Sequence, residues 1–294
     1  LDIIKTSKEF GTYAEGTDQK KALLVFESEL DTLARNKAGI DPIKPLLKAI
    51  NSIRSINDMQ TIYATTTGVS APFAGIGANA DLNDSKINTA WVYPGGLGLQ
   101  RDYYLDQDTK SQEIREQYTN HVARMLGFVG YSDKDAANAA KRILELETKL
   151  AKPRLDKVQS RDIRNFNNPR TLKELSAMTP LIDWNKFTKD LGVTAPLESV
   201  LVMQPTYMAA LNTFLTNTSI DDIKTLMTWS TIDNAAGYLT TEIETANWEF
   251  YSKTLNGSKA QREAEERALG TVNGSVGEAI GKLYVEAKFP PEAK

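Results

Sequence analysis

The chain has 294 residues, 41% hydrophobic and 25% charged, a balance that is typical of folded globular proteins and argues against a disordered chain. Its 35 basic and 38 acidic residues provide no net positive field to attract nucleic acid or an anionic membrane surface. The lack of cysteine excludes disulfides and thiolate chemistry, and no apolar run approaches the roughly 20 residues that span a bilayer.

The first part of the chain predicts helices joined by short connections, because apolar residues recur at helical spacing between capping and breaking residues. The predicted helices are the tail of one that begins upstream, over residues 1–13, then residues 19–38, a stretch opened by Asp41-Pro42 and a stretch opened by Asn57-Asp58. Thr17 or Asp18 is the expected cap of the second helix. The apolar face of this helix is Leu23, Leu24, Phe26, Leu30 and Leu33.

The pattern then changes to one that favours strands. Residues 73–81 and 88–93 flank a turn-rich stretch, which predicts one small β-hairpin over about residues 73–93. The glycines of the following loop, GGLG at residues 95–98, are not followed by Lys-Ser/Thr and do not lie in a βαβ unit. A turn that docks Tyr103 and Tyr104 into the core is therefore favoured over a phosphate cradle.

The rest of the chain predicts helices again, so the expected fold class is mainly α, a multi-helix domain with one small β-hairpin. Helical patterns cover residues 109–127, 132–151, 172–178, 183–191, 205–215, 221–255 and 260–288. A short apolar run within residues 197–204 has the length of a strand. The longest pattern, residues 221–255, carries aromatic residues that are expected in the core: Trp229, Tyr238, Trp248, Phe250 and Tyr251.

Residues 154–170 form a polar connection that is rich in arginine and asparagine. This segment could be a patch for an anionic substrate or simply a solvated connection. The acidic residues interspersed in it favour the solvated connection. Asn168-Pro169 is the expected turn at its end, and Thr171 is the expected cap of the next helix.

The end of the sequence has the pattern of a helix that leads into a further element. Gly277 and Gly281 lie four residues apart, a spacing that would let another backbone approach that face of the helix closely. Pro290 and Pro291 are expected to stop the helix, and residues 292–294 have the composition of a new helical start. These features indicate a fragment of a longer protein.

Four stretches carry a family resemblance. They are GGLGLQRDYYL at residues 95–105, NPRTLKELSAMTPLIDW at residues 168–184, TLMTWSTIDNAAGYLTTEIETANWEFYSKTLNG at residues 225–257, and VNGSVGEAIGKLYVEAKFPPEAK at residues 272–294. In this order they resemble the N-terminal half of the neprilysin family of zinc metallopeptidases, which includes endothelin-converting enzyme and bacterial endopeptidase O. The departures are Ala287, where the family usually has a basic residue, and KAQREAEE at residues 259–266, which lacks the usual Pro-Arg-Trp.

The resemblance implies a helical cap that encloses a cavity over a separate catalytic half, so that only small peptides enter and are cleaved. In the family, the zinc ligands, the general-base glutamate and an Asn-Ala motif that binds substrate lie beyond the position of Lys294. An arginine that anchors substrate carboxylates lies upstream of Leu1. No position of this chain matches a catalytic, metal-binding or cofactor-binding residue of the family, so none is assigned. The resemblance therefore implies zinc in the parent protein and none bound by this chain.

The single histidine supports that expectation from the residues themselves. A catalytic zinc site needs three protein ligands, and its usual hallmark is H-E-x-x-H on a helix. His121 has no second ligand of the usual kind among its helical neighbours, such as Gln117 and Arg124. A histidine at the surface or the edge of the core is therefore expected.

The interpretation that follows is a parent zinc metalloendopeptidase that acts on oligopeptides, with this chain as its inactive cap. The alternative is a complete, non-enzymatic helical module of the bacterial envelope that binds peptide or glycan, and a scaffold that lost its catalytic half is a third possibility. The expected partners are peptide substrates, which bind through the catalytic half. No nucleic-acid partner and no membrane-spanning segment are expected, and the protein is expected to be a monomer. A cysteine-free relative of this family looks bacterial, and export to the periplasm or cell envelope is favoured over the cytoplasm.

Overall fold

The computed structural model describes residues 1–290 and residue 292, and the chain is mainly helical, as the sequence predicts. The helices are α1 (Asp2–Phe10), α2 (Asp18–Leu30), α3 (Thr32–Ala38), α4 (Lys44–Asn51), α5 (Ile56–Thr65), α6 (Arg101–Leu105), α7 (Thr109–Phe128), α8 (Asp133–Ala151), α9 (Leu172–Met178), α10 (Trp184–Asp190), α11 (Pro205–Thr216), α12 (Ile220–Ala235), α13 (Thr241–Trp248) and α14 (Ala264–Lys288). The strands are β1 (Ala74–Ala80), β2 (Asn88–Pro94), β3 (Pro169–Arg170) and β4 (Val200–Val202).

Short helical turns of other types complete the chain. The 3-10 turns are Asp41–Ile43, Gln159–Arg161, Ile163–Phe166 and Ala236–Tyr238, and Glu249–Leu255 is a π-helix. Helix α14 ends before Pro290, as predicted. The predicted stop at Pro291 and most of the predicted helical start at residues 292–294 lie outside the described residues.

Side-chain caps explain where most of the long helices begin. In each case the cap oxygen accepts a hydrogen bond from the backbone N–H three residues later, which satisfies one of the donors left open in the first turn. These caps are Thr17, Asp31, Ser55, Asp108, Ser132, Thr171, Asp183, Ser219 and Thr240. The predicted caps Thr17 and Thr171 are confirmed, and Thr171 forms a full capping box with Glu174.

The single helix predicted over residues 19–38 is wrong, because the chain breaks at Asp31. The Asp31 carboxylate accepts from Ala34 N at 3.0 Å and so starts α3 as a separate helix. Two residues of the predicted apolar face are exposed, Leu24 at 42% and Leu33 at 83%. Phe26 remains buried.

The long helix predicted over residues 221–255 is also broken. Helix α12 ends at Ala235, and Thr240 caps α13 after the 3-10 turn. The break turns Tyr238 outward, so this tyrosine is exposed rather than in the core, as the sequence pattern had predicted. Trp229 and Phe250 are buried as expected.

The chain divides into two compact units, and the first consists of residues 1–39 together with the described part of residues 238–294. In this unit α14 packs along α2, and α1 packs against both. The buried cluster between them is Ile4, Ala22, Leu23, Phe26, Ala268, Val272, Ala279 and Leu283. Helix α14 is kinked at Val276, whose φ of −138° and ψ of 41° are not helical. A Cβ added at Gly277 or Gly281 would meet no described atom within 4 Å, so no backbone of the described residues uses the predicted close approach.

A buried ionic network joins the two sequence segments of this first unit. The Arg35 guanidinium donates to Leu239 O at 2.9 Å, to Glu29 Oε1 at 3.1 Å and to Glu244 Oε2 at 3.1 Å. Glu244 Oε1 accepts from Arg267 Nε at 2.7 Å. The side chains of Arg35, Glu29 and Glu244 are each only 10% exposed, so their charges depend on one another for compensation.

The second unit, residues 40–237, contains a four-stranded sheet in the order β1-β2-β4-β3. The predicted hairpin is confirmed, with β1 antiparallel to β2 and Ala74 opposite Pro94. Strand β4 confirms the predicted short strand and lies parallel to β2. Pro169, predicted in a turn, instead lies in the edge strand β3, where its missing N–H costs no ladder hydrogen bond.

The core of the second unit forms where α7, α8 and α12 pack together. Its largest fully buried side chains include Tyr118, Trp184, Tyr207 and Trp229. The polar atoms of these aromatic residues are satisfied inside the core, as in the hydrogen bond from Trp184 Nε1 to Thr179 Oγ1 at 2.6 Å. The sheet and the glycine-rich loop after it therefore rest on a rigid helical base.

Candidate functional site

His121 lies in the core of the second unit, on α7. Its side chain is 6% exposed and meets the Trp229 ring edge-on, with the ring centres 5.7 Å apart. Burial, assisted by the charge of Arg124, lowers the pKa of His121 from 6.5 to about 3. The expected surface or core-edge position is corrected to a core position, because the imidazole completes the aromatic packing.

The depressed pKa of His121 predicts how stability changes with pH. The unfolded chain binds a proton at His121 below about pH 6.5, whereas the folded chain does not until about pH 3. This residue should therefore reduce the free energy of unfolding as the pH falls, by about 1.4 kcal/mol per pH unit. NMR titration should show no protonation of His121 down to about pH 4.5, and a shift with a midpoint near pH 6.5 would contradict the prediction.

The glycine-rich loop at residues 95–98 is fixed to a buried carboxylate. Gly98 N donates to Glu147 Oε1 at 3.3 Å, while Glu147 Oε2 accepts from the hydroxyls of Tyr104 at 2.9 Å and Tyr118 at 2.5 Å. The Trp229 indole N–H donates to the Tyr118 hydroxyl at 3.0 Å. We call Gly98, Tyr104, Tyr118, Glu147 and Trp229 the Glu147 cluster.

This cluster confirms one part of the predicted docking turn and corrects another. Tyr104 is buried, but Tyr103 is only half-buried. Glu147 was not predicted as a site residue, although its place in the sequence carries a signal. It lies four residues after Ile143 and three before Leu150, in the apolar stripe of α8. A carboxylate at a core position of an amphipathic helix is a sign of a buried polar network.

The electrostatics of the Glu147 cluster follow from burial. Burial raises the pKa of Glu147, and the hydroxyl and amide donors around it only partly oppose that rise. Burial and the neighbouring carboxylate raise the pKa of Tyr104 well above its usual value. Because its donors and acceptors are paired with one another, the cluster holds the loop in place and offers no reactive group.

A polar pocket of about 290 Å³ lies between the glycine-rich loop and α12. Its walls carry the side chains of Tyr63, Tyr93, Ser230, Asp233 and Asn234. We call it the loop pocket. The residues that line the pocket carry hydroxyls, an amide and one carboxylate. This arrangement suits hydrogen bonding to the polar groups of a peptide and contains no imidazole base for nucleophilic chemistry.

The arginine-rich connection at residues 154–170 contributes to a second, larger pocket. Arg154, Lys157 and Arg161 line it together with Arg101 of α6 and the neighbouring Asp102. We call it the basic pocket. Leu97 lines both this pocket and the loop pocket, so the two lie on either side of the glycine-rich loop.

The described residues do not fit a zinc site. Within residues 1–290 and 292, no three His, Cys, Asp or Glu residues lie close enough together to hold a metal ion. His121 meets an indole ring rather than a second ligand. In the same described part of the chain, no helix is long and apolar enough to cross a membrane.

Comparison with known proteins gives matches over nearly the whole chain. The family model described as Peptidase family M13 matches residues 2–294. Among curated proteins, endothelin-converting enzyme 1 of Mus musculus is 23% identical over 309 aligned residues, which cover 99% of this chain and 39% of that protein. The chain thus spans about two fifths of the length of this relative.

Solved structures show the same partial coverage. The open-state structure of zinc metalloprotease ZMP1 of Mycobacterium tuberculosis matches with a TM-score of 0.91 and 31% identity, covering 99% of this chain and 45% of that one. The structure of PEPO from Lactobacillus rhamnosis matches with a TM-score of 0.80 and 17% identity, covering 100% of this chain and 46% of that one. At 17% identity, the similarity to PEPO shows a shared fold and nothing further.

Proposed function

The chain belongs to Peptidase family M13, and on this premise we propose that it is the helical, non-catalytic part of a zinc metalloendopeptidase that cleaves oligopeptides. The observation that carries the proposal is the match of the whole chain to less than half of a bacterial zinc metalloprotease at 31% identity. In this proposal residues 1–294 form the cap region, and the catalytic half follows residue 294. The relatives share the present fold and carry further sequence beside it.

The proposal assigns zinc to the catalytic half and not to the described residues. When bound in that half, zinc would supply Lewis-acid activation of water and of the peptide carbonyl. No residue of this chain is assigned to hold the metal, since His121 is buried, neutral and packed against Trp229. The contribution of this chain is therefore to bind, position and enclose the substrate.

Enclosure is the physical role that the second unit supports best. The Glu147 cluster and Tyr207, whose hydroxyl donates to Phe73 O at 2.6 Å, fix the loop and the sheet to the helices beneath them. A rigid wall of this kind admits flexible peptides and keeps out folded proteins. It also limits access of bulk water to the reacting groups. The loop pocket is the proposed place where the wall contacts peptide.

The proposal extends to partners and location. The partners are peptide substrates, and the protein acts as a monomer. The absence of cysteine and the likeness to a mycobacterial metalloprotease support a bacterial source. Export to the periplasm or cell envelope is proposed on the resemblance, with the cytoplasm as the alternative.

The test is the mass, zinc content and peptidase activity of the native protein, purified from its source with an antibody against this chain. We expect a species well above 32.5 kDa that carries about one zinc and loses activity with a chelator. It should cleave a flexible peptide but not the same sequence within a folded protein. The 294-residue chain alone should cleave neither substrate.

Three outcomes would overturn parts of the proposal. A native species of 32.5 kDa without zinc would replace the peptidase by a helical module that binds peptide or glycan. Equal cleavage of the flexible peptide and its folded counterpart would remove the size-restricting role. Chelator-sensitive cleavage by the 294-residue chain alone would show that the chain is itself catalytic.

A further inference from the structure

The basic pocket has an excess of positive charge that the described protein does not neutralise. It has a volume of about 510 Å³, far more than one ordered water requires. Its walls carry Arg101, Arg154, Lys157 and Arg161 against a single carboxylate, Asp102. Four cations and one anion leave a local charge of +3, on a chain whose formal net charge is −3. This concentration of charge is therefore local and built by the fold.

The one carboxylate is already shared between two of the cations. Asp102 Oδ1 accepts from Arg101 Nη1 at 3.2 Å, and Asp102 Oδ2 lies 3.2 Å from Lys157 Nζ. Neither Arg154 nor Arg161 forms an ion pair with any described residue. Two guanidinium groups on the pocket wall are consequently left without an anionic partner.

Arg154 is held in place before any ligand arrives. Its Nε donates to Leu150 O at 3.2 Å, and its guanidinium carbon lies 5.0 Å from the centre of the Tyr207 ring. Its Nη2 is buried and has no hydrogen-bond acceptor among the described residues. Arg101 Nε donates to Arg154 O at 3.0 Å, which links the two sides of the pocket. Such a preset guanidinium loses little conformational entropy when it binds an oxyanion.

The remaining wall of the pocket is apolar, with one neutral donor. Leu97, Leu99 and Leu155 provide the apolar surface. Gln204 Oε1 accepts from Leu155 N at 2.9 Å, an orientation that leaves its amide N–H groups as the available donors. A ligand that matches these features carries carboxylate oxygens for the guanidinium groups and an apolar body for the leucines.

We propose that the basic pocket is a binding site for a carboxylate-bearing segment of a peptide, in which Arg154 and Arg161 contact the carboxylate and the leucines contact the neighbouring side chain. The choice of a peptide as the carrier rests on the proposed function, whereas the need for an oxyanion follows from the pocket itself. The arginine-rich connection at residues 154–170 is thus more than a solvated connection, because three of its cations meet Arg101 at one site.

The test measures binding of short peptides to the full 294-residue chain by calorimetry, so that no cleavage is involved. The probes are acetyl-Glu-Leu-Glu-amide, acetyl-Gln-Leu-Gln with a free C-terminal carboxylate, and the fully neutral acetyl-Gln-Leu-Gln-amide. We expect either carboxylate peptide to bind at least about fivefold more tightly than the neutral one. Which of the two binds more tightly identifies the source of the carboxylate. Added salt should weaken this binding, because the contacts are partly exposed charge pairs.

The variant Arg161→Gln and its matched control Arg164→Gln locate the binding in the pocket. Both residues are exposed and lie three apart in the same segment, but Arg164 is paired with Asp162 and lies outside the pocket. Arg161→Gln should weaken binding of the better carboxylate peptide by about threefold to tenfold, and Arg164→Gln by less than about twofold. Because Arg161 forms no ion pair with any described residue, the fold should survive its replacement.

Three results would overturn the proposal. They are equal binding of all three peptides, equal losses in the two variants, and binding of inorganic phosphate as tight as that of the better peptide, since the apolar wall would then contribute nothing. Failure of the proposed function would be seen separately, as a native protein without zinc. That result would leave the peptide-binding measurements as they are.

Discussion

Replacing Glu147 with alanine is expected to lower the free energy of unfolding by about 4 kcal/mol. The change removes the acceptor of three buried donors, Tyr104 Oη, Tyr118 Oη and Gly98 N. It also leaves a cavity beside Trp229. A buried donor without a partner costs about 1–3 kcal/mol, and the cavity adds to that cost.

The measurement is urea unfolding, with Glu145→Ala as the matched control on the same helix. Glu145 is exposed, and its partner Arg142 retains the ion pair with Asp222 when Glu145 is removed. This control should therefore change the free energy of unfolding by less than about 0.5 kcal/mol. Glu147→Gln keeps the shape of the side chain and one acceptor, so it should lower the free energy of unfolding by about 1–2 kcal/mol. This variant allows the measurement even if the alanine variant does not fold. Similar stabilities of the Glu147→Ala and Glu145→Ala variants would show that the cluster does not stabilise the fold.

The same cluster can be tested from the loop. A Cβ at Gly98 would lie 2.0 Å from the Tyr118 hydroxyl oxygen, whereas a Cβ at Gly96 would meet nothing within 4 Å. Gly98→Ala should therefore break the hydrogen bond to Glu147 and strongly destabilise the protein. Gly96→Ala should be close to neutral.

The raised pKa of Glu147 also predicts how the stability of the protein changes with pH. Burial raises the pKa of Glu147 above its usual 4.5, so the folded state keeps a proton that the unfolded state releases. Between about pH 4.5 and the folded pKa, this group makes stability fall as pH rises, by about 1.4 kcal/mol per unit. Glu147→Gln should remove that component of the pH dependence, which the difference between the two unfolding curves would show.

Arg35→Ala is the second change with a large expected effect, about 3–5 kcal/mol in the first unit. It would leave the carboxylates of Glu29 and Glu244 buried beside each other with only Arg267 to compensate them. Burial already raises the pKa of Glu29, and the Arg35 charge opposes that rise. Without Arg35 one of these carboxylates must take up a proton or expose itself to water.

Amide hydrogen exchange measures this effect where it is expected. Protection should fall in α2 and α14, because the network ties residues 1–39 to residues 238–294, while α7 serves as the internal reference. Lys37→Ala, an exposed change on the same helix, is the control and should leave protection unchanged. Arg35→Lys keeps the charge but cannot reach three acceptors in a plane, so an intermediate loss is expected. If Arg35→Ala and Lys37→Ala gave the same protection, the network would have no stabilising role.

The sequence by itself determined the fold class, most of the elements and the family. Apolar periodicity and caps are local properties, so α7, α8, α9 and the hairpin could be predicted close to their observed bounds. The ordered motifs carried the family resemblance, since motif order does not depend on distances in space. The helix breaks at Asp31 and Thr240 were missed because apolar spacing continued through both positions while a cap ended the hydrogen-bond ladder.

Only the tertiary structure decided which distant residues act together. Glu147 and Gly98 lie 49 positions apart, and Arg35 and Glu244 lie 209 apart, so neither contact leaves a pattern in the local sequence. The position of His121 against Trp229 and the meeting of Arg101 with Arg154 depend in the same way on helix packing. The physical reason is that desolvation and charge compensation are set by all neighbours in space, whereas helix periodicity is set by neighbours along the chain.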